Sequence, residues 1–125
     1  MTPNEYQKMA LRTEGVYQNT HKVCEAFPDK AIGVIFRLTN GLMGLNGEAG
    51  EAIDILKKHL YQGHELNREH LAKELGDVAW YLAVSADALG YTLEEILQMN
   101  IEKLRARYPD GFEAERSVNR SATDE

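Results

Sequence analysis

The alternation of apolar and polar positions along the chain predicts helix after helix. Thr2-Pro3-Asn4-Glu5 has the form of a helix start: a threonine cap, proline at the first helical position and a glutamate completing a capping box. Tyr6, Met9 and Ala10 follow at helical spacing and lead on to Val16 and Tyr17, with Gly15 weakening the far end. Residues 20–31, around Pro28-Asp29-Lys30, read as a connector with a short helical turn over Val23 to Ala26. A long helix occupies 32–62; either it begins near Ala31 and kinks at Gly41, or it restarts at Thr39-Asn40. At about 100° per residue its apolar stripe is Leu42, Leu45, Ala49, Ala52, Ile53, Leu56 and Leu60. Gly63 ends it.

Asn67 caps the next helix, with Leu66 and Leu71 spaced as a hydrophobic staple, and the pattern runs from Arg68 to Leu89 before Gly90 stops it. Its stripe is Leu71, Leu75, Val78 and Leu82, but Val78 to Val84 is apolar on every side. A helix of that kind is buried all round. Thr92-Leu-Glu-Glu95 is a second capping box, and the last stripe is Leu93, Leu97, Ile101, Leu104 and Tyr108. The pattern therefore predicts an all-α fold, a bundle of four to five helices. One domain spans 1–112, followed by a polar C-terminal tail over 113–125. Trp80 and Val84 fall opposite Leu75 and Leu82 on the helical wheel, which leaves an apolar face uncovered in a small monomer. The expected remedy is self-association, as a homodimer or homotetramer.

Four acids break this pattern. Glu48 and Glu51 lie three residues apart, and so do Glu74 and Asp77. That spacing puts both carboxylates of a pair on one side of a helix, one turn apart. Acids so placed are ordinarily a solvated face. Here Glu48 flanks the apolar stripe, Glu51 lies further round, and Glu74 and Asp77 fall beside Tyr81 and Ala88. Gly47, Gly50 and Gly76 sit inside the same helical stretches, each costing about 1 kcal/mol against alanine. Glycine beside an acid lets a backbone or ligand approach. A divalent cation such as Mg²⁺, which takes hard oxygen ligands, would offset the mutual repulsion of the acids.

Composition narrows the function. With 14 Lys+Arg against 20 Asp+Glu in 125 residues, the net charge of −6 argues against a nucleic-acid surface. The single Cys24 excludes an internal disulfide framework, and no apolar run approaches a membrane span. Met1-Thr-Pro-Asn-Glu is too polar for a signal peptide, so the expected compartment is cytoplasmic. His21, His59, His64 and His70 show no paired metal spacing and read as surface or loop histidines. No P-loop, Rossmann fingerprint or nucleophilic triad is present.

Three stretches carry a family resemblance: Gly47-Glu48-Ala-Gly-Glu51-Ala, then Lys73-Glu74-Leu-Gly-Asp77-Val-Ala-Trp-Tyr-Leu, then Asn100-Ile-Glu-Lys103-Leu-Arg-Ala-Arg107-Tyr108-Pro. The acid pairs, separated by 22 residues, and the Asn-x-x-Lys tail occur in the order found in the all-α nucleoside triphosphate pyrophosphohydrolases, and the chain resembles their MazG-like branch. The resemblance covers roughly residues 38–112, with a further hint at Tyr6-Gln7. It implies hydrolysis of a (d)NTP to (d)NMP and pyrophosphate, in a role such as nucleotide-pool house-cleaning, and it too implies dimers or tetramers. Glu48, Glu51, Glu74 and Asp77 would hold Mg²⁺, for which Mn²⁺ can substitute, and Glu48 or Glu51 would act on the attacking water. Lys57, Asn100, Lys103 and Arg107 would contact phosphate. A dUTP-, dCTP- or phosphoribosyl-ATP-directed relative fits the same residues, as does a non-catalytic helical module. A di-iron bundle does not, because its Glu-x-x-His motif is missing.

Overall fold

The structure, a computed structural model, describes residues 1–15 and 31–120. Val16, Tyr17, His21, Cys24 and the turn expected over Val23 to Ala26 lie outside the described residues. The helices are α1 (Pro3–Leu11), α2 (Ala31–Gln62), α3 (Arg68–Ala88), α4 (Leu93–Arg107) and α5 (Ala114–Val118). No strand occurs among the described residues, and the fold is all-α. Two compact units divide it, Met1–Leu93 and Glu94–Glu125.

Local chemistry sets the helix ends. In α1 the Thr2 hydroxyl accepts from the Glu5 N–H at 3.1 Å, and the Glu5 carboxylate accepts from the Thr2 N–H at 2.7 Å. Such a cap is worth about 1 kcal/mol. α2 continues unbroken through Thr39 and Asn40, so the alternative restart is not used. Inside the helix, Thr39 donates its hydroxyl to Ile35 O at 2.8 Å, the back-bonding open to threonine there. Asn67 caps α3, its side chain accepting from the His70 N–H at 2.9 Å. At the other end of α3, Gly90 takes φ 82° and the N–H groups of Gly90 and Tyr91 return to Asp87 O and Ala86 O at 2.9 and 3.0 Å, a Schellman closure.

α2 and α3 run antiparallel along a close seam. Arg37 meets Asp87, Gly41 abuts Ser85, and Gly44 abuts Tyr81. A Cβ at Gly41 would run into the Ser85 side chain, and one at Gly44 into the Tyr81 ring. These two glycines are therefore where the helices need the missing side chain. Gly47, Gly50 and Gly76, the glycines beside the acids, have open space around them instead. On α2 the seam advances by three or four residues at a time, the spacing of helices packed side by side.

α1 packs on the other side of α3. Ala10, Ala83 and Leu93 form the buried cluster there, with Tyr6, Trp80 and Leu82 against it. Gln7 is 5% exposed yet fully engaged: Nε2 donates to Ala83 O and Tyr91 O at 3.1 and 3.2 Å, and Oε1 accepts from the Leu93 N–H at 3.1 Å. The Trp80 indole N–H donates to the Thr13 hydroxyl at 2.8 Å. Arg37 closes the far end of this unit, bonding Glu14 through Nε and an NH2 group at 3.0 and 2.7 Å and Asp87 at 2.8 Å. Here the structure departs from expectation. Val84 is 2% exposed and Trp80 is half-buried, so the face expected to need a second subunit is covered within one chain. The apolar stripe of α2 is what stays open: Leu42, Ile53 and Leu60 are each more than half exposed. The reason is the seam, which turns the glycine side of α2, not its leucine side, toward α3.

In the second unit, Tyr108 and Phe112 stack with ring centroids 5.3 Å apart around Gly111, whose φ is 95°. Within the stretch expected to be tail, Ala114–Val118 forms the short helix α5, with Arg116 paired to Glu113 at 3.0 Å.

Candidate metal centre

Past Gly41 and Gly44, the next seam position on α2 is Glu48. Past Ser85 and Tyr81, the next on α3 are Asp77 and Glu74. Positions that would carry apolar knobs in an ordinary helix pair thus carry carboxylates. One oxygen each from Glu48, Glu74 and Asp77 lies within 4.8 Å of the others. Glu48 and Glu74 are half-buried and Asp77 is exposed.

Crowding shows in the protonation of Glu48. Its pKa is raised from the ordinary carboxylate value, first by loss of water and then by the charges of Asp77, Glu74 and Glu51, with a hydrogen bond shared with Glu74. Glu51 is exposed and stands outside the three-carboxylate set, although its charge reaches Glu48. Such a set of hard, anionic oxygens fits a divalent cation of the Mg²⁺ or Mn²⁺ type, ions that commonly keep water and phosphate oxygens among their ligands.

An open hollow of about 260 Å³ adjoins the acids, lined by Glu48, Asp77, Trp80 and Tyr81. The Trp80 and Tyr81 rings meet edge to face with centroids 4.9 Å apart. From α1 the Tyr6 hydroxyl approaches the Gly76 carbonyl at 3.4 Å, and its pKa is raised by burial and by the charge of Asp77. The sequence placed Tyr81 beside the acids, but not Tyr6, whose proximity arises from the packing of α1 on α3.

The other expected site residues sit as follows. Lys57 is exposed on α2 and pairs with Asp54 at 2.8 Å, and Lys58 pairs with the same carboxylate at 2.6 Å. Together they hold the Asp54 pKa down to about 2. On α4, Asn100 and Lys103 are exposed and Arg107 is half-buried in the last turn. Their three- and four-residue spacing gives them a common side of that helix.

Residues 37–112 match the MazG nucleotide pyrophosphohydrolase domain, and the chain belongs to that family. It is also 42% identical over 73 residues to the "Gene 37 protein" of Mycobacterium phage L5, a match covering 55% of this chain and 64% of the phage protein. The chain thus spans less than two thirds of that relative's length. No solved structure matches it. No helix among the described residues is long and apolar enough to cross a membrane.

Proposed function

We propose that the chain is a divalent-metal-dependent nucleoside triphosphate pyrophosphohydrolase, converting a (d)NTP and water into the (d)NMP and pyrophosphate, with nucleotide-pool house-cleaning as its role. The observation that carries this reading is the convergence of Glu48, Glu74 and Asp77 across the α2–α3 seam in a chain of this family. These carboxylates, with Glu51 at the rim, would hold Mg²⁺ or Mn²⁺. When bound, the ion would neutralise phosphate charge and acidify a water. The chain's own residues supply the rest. Glu48, whose pKa is raised, and Glu51 are the groups proposed to orient the attacking water and take its proton. Lys57, Asn100, Lys103 and Arg107 are proposed phosphate contacts; Lys57 would exchange Asp54 for substrate. The wall of Trp80 and Tyr81 lies where the substrate would enter.

A coupled pyrophosphate assay over the common ribo- and deoxyribonucleotides tests this. Pyrophosphate release that needs Mg²⁺ or Mn²⁺ and stops in EDTA is the expected result. Release of orthophosphate alone, or activity unchanged in EDTA, overturns it. Assembly into a homodimer or homotetramer is proposed as well. Its support is the exposed face of α2, where Ile53, Leu56, Leu60 and Tyr61 line an apolar groove of about 380 Å³. A light-scattering mass equal to the chain's 14.1 kDa would refute assembly.

A further inference from the structure

Glu74 has a polar neighbour beyond Glu48 and Asp77. His70 stands one turn earlier on α3, and its Nε2 lies 2.9 Å from Glu74 Oε1. Four-residue spacing puts the two on one face, with the ring reaching along the helix toward the carboxylate. The His70 backbone is fixed, because its N–H is the one held by the Asn67 cap. The exposures differ sharply: 56% for the imidazole and 14% for the Glu74 side chain. The imidazole therefore meets Glu74 from the solvent side, while Glu48 meets it across the seam.

We propose that His70 is a positioning residue of the metal centre, its Nε2 donating to Glu74 Oε1 and so fixing the direction in which that carboxylate presents its lone pairs to a divalent cation. This rests on the metal-centre reading above. A freely rotating carboxylate must lose that freedom when a cation binds; one already held has lost it. Hydrogen-bond partners of metal ligands characteristically change metal affinity about 10- to 100-fold. An ordinary exposed helix pair would instead add a small increment to stability and nothing to metal binding. The sequence carries the signal in His70-x-x-x-Glu74, a histidine paired with a carboxylate and not with a second histidine.

The test is calorimetric titration of Mn²⁺ into the metal-free protein, without nucleotide, for wild type, His70→Ala, His70→Gln and Glu48→Gln, with a melt of each to show that it folds. His70→Ala is expected to weaken Mn²⁺ binding about tenfold. His70→Gln, whose amide N–H can reach the same oxygen, is expected to restore most of it. Binding by His70→Ala within about twofold of wild type, while Glu48→Gln loses it, overturns the role of His70 and leaves the proposed function standing. Should His70→Gln bind as weakly as His70→Ala, donation to Glu74 is refuted. If wild type takes up no Mn²⁺, or Glu48→Gln binds it unchanged, the metal-centre reading and this inference fall together.

Discussion

Two glycines three residues apart on α2 should respond to alanine with opposite signs. At Gly47 a new Cβ meets nothing within 4 Å, so only the helix-propensity gain remains, about 1 kcal/mol in favour of Gly47→Ala. At Gly44 the same gain is available, but the Cβ falls inside the Tyr81 ring. That ring is hemmed by the edge-to-face contact with Trp80, so the helices must part or the ring must swing. Overpacking of this kind costs about 1–3 kcal/mol, leaving Gly44→Ala neutral to roughly 2 kcal/mol destabilised. For a chain of 125 residues a kilocalorie moves the melting temperature by about 4 °C, so the two variants should melt about 4–12 °C apart. The functional consequence separates them further. Gly44 lies one turn from Glu48, and parting the seam there moves Glu48 away from Glu74 and Asp77. Metal-free melts give the stabilities and Mn²⁺ titration reads the acid cluster, which Gly47→Ala should leave intact and Gly44→Ala should weaken. A Gly44→Ala protein that melts at or above Gly47→Ala with wild-type Mn²⁺ affinity would refute the close seam.

Other substitutions test the remaining joints. Gln7→Leu orphans the Leu93 N–H and the Tyr91 carbonyl, while Ala83 O keeps its helical partner; about 2–4 kcal/mol should be lost in a denaturant titration. Arg37→Met strands the buried Glu14 carboxylate and should cost about 3 kcal/mol by the same measurement. In the metal-free protein the raised pKa of Glu48 means that the folded state binds its proton more tightly than the unfolded state does. Its contribution is therefore most favourable below the ordinary carboxylate pKa and is lost as pH rises through the raised value. Melts between about pH 4 and 7 should show that loss in wild type and a smaller one in Glu48→Gln.

Much of this architecture is local and hence legible in the chain. The capping box at Thr2, the cap at Asn67 and the stops at Gly63 and Gly90 each depend on residues a few positions apart, and the start of α1, the end of α2 and both ends of α3 follow from them. The acid pairs are legible for the same reason, since a three-residue spacing fixes a shared helix side whatever the helix packs against. Which side faces which neighbour is another matter. The leucine stripe of α2 is the more apolar surface, yet α3 lies against Gly41 and Gly44, where the two helices approach with no side chain of α2 between them. That choice, made by contacts some 40 residues apart in sequence, exposes Leu42 and Leu60 and brings Glu48 onto Glu74 and Asp77 while leaving Glu51 at the rim. It also lets α1 cover Trp80, with Gln7 buried as a clamp that no hydrophobic pattern could reveal, since glutamine is buried only where its three hydrogen bonds are met by groups from distant turns.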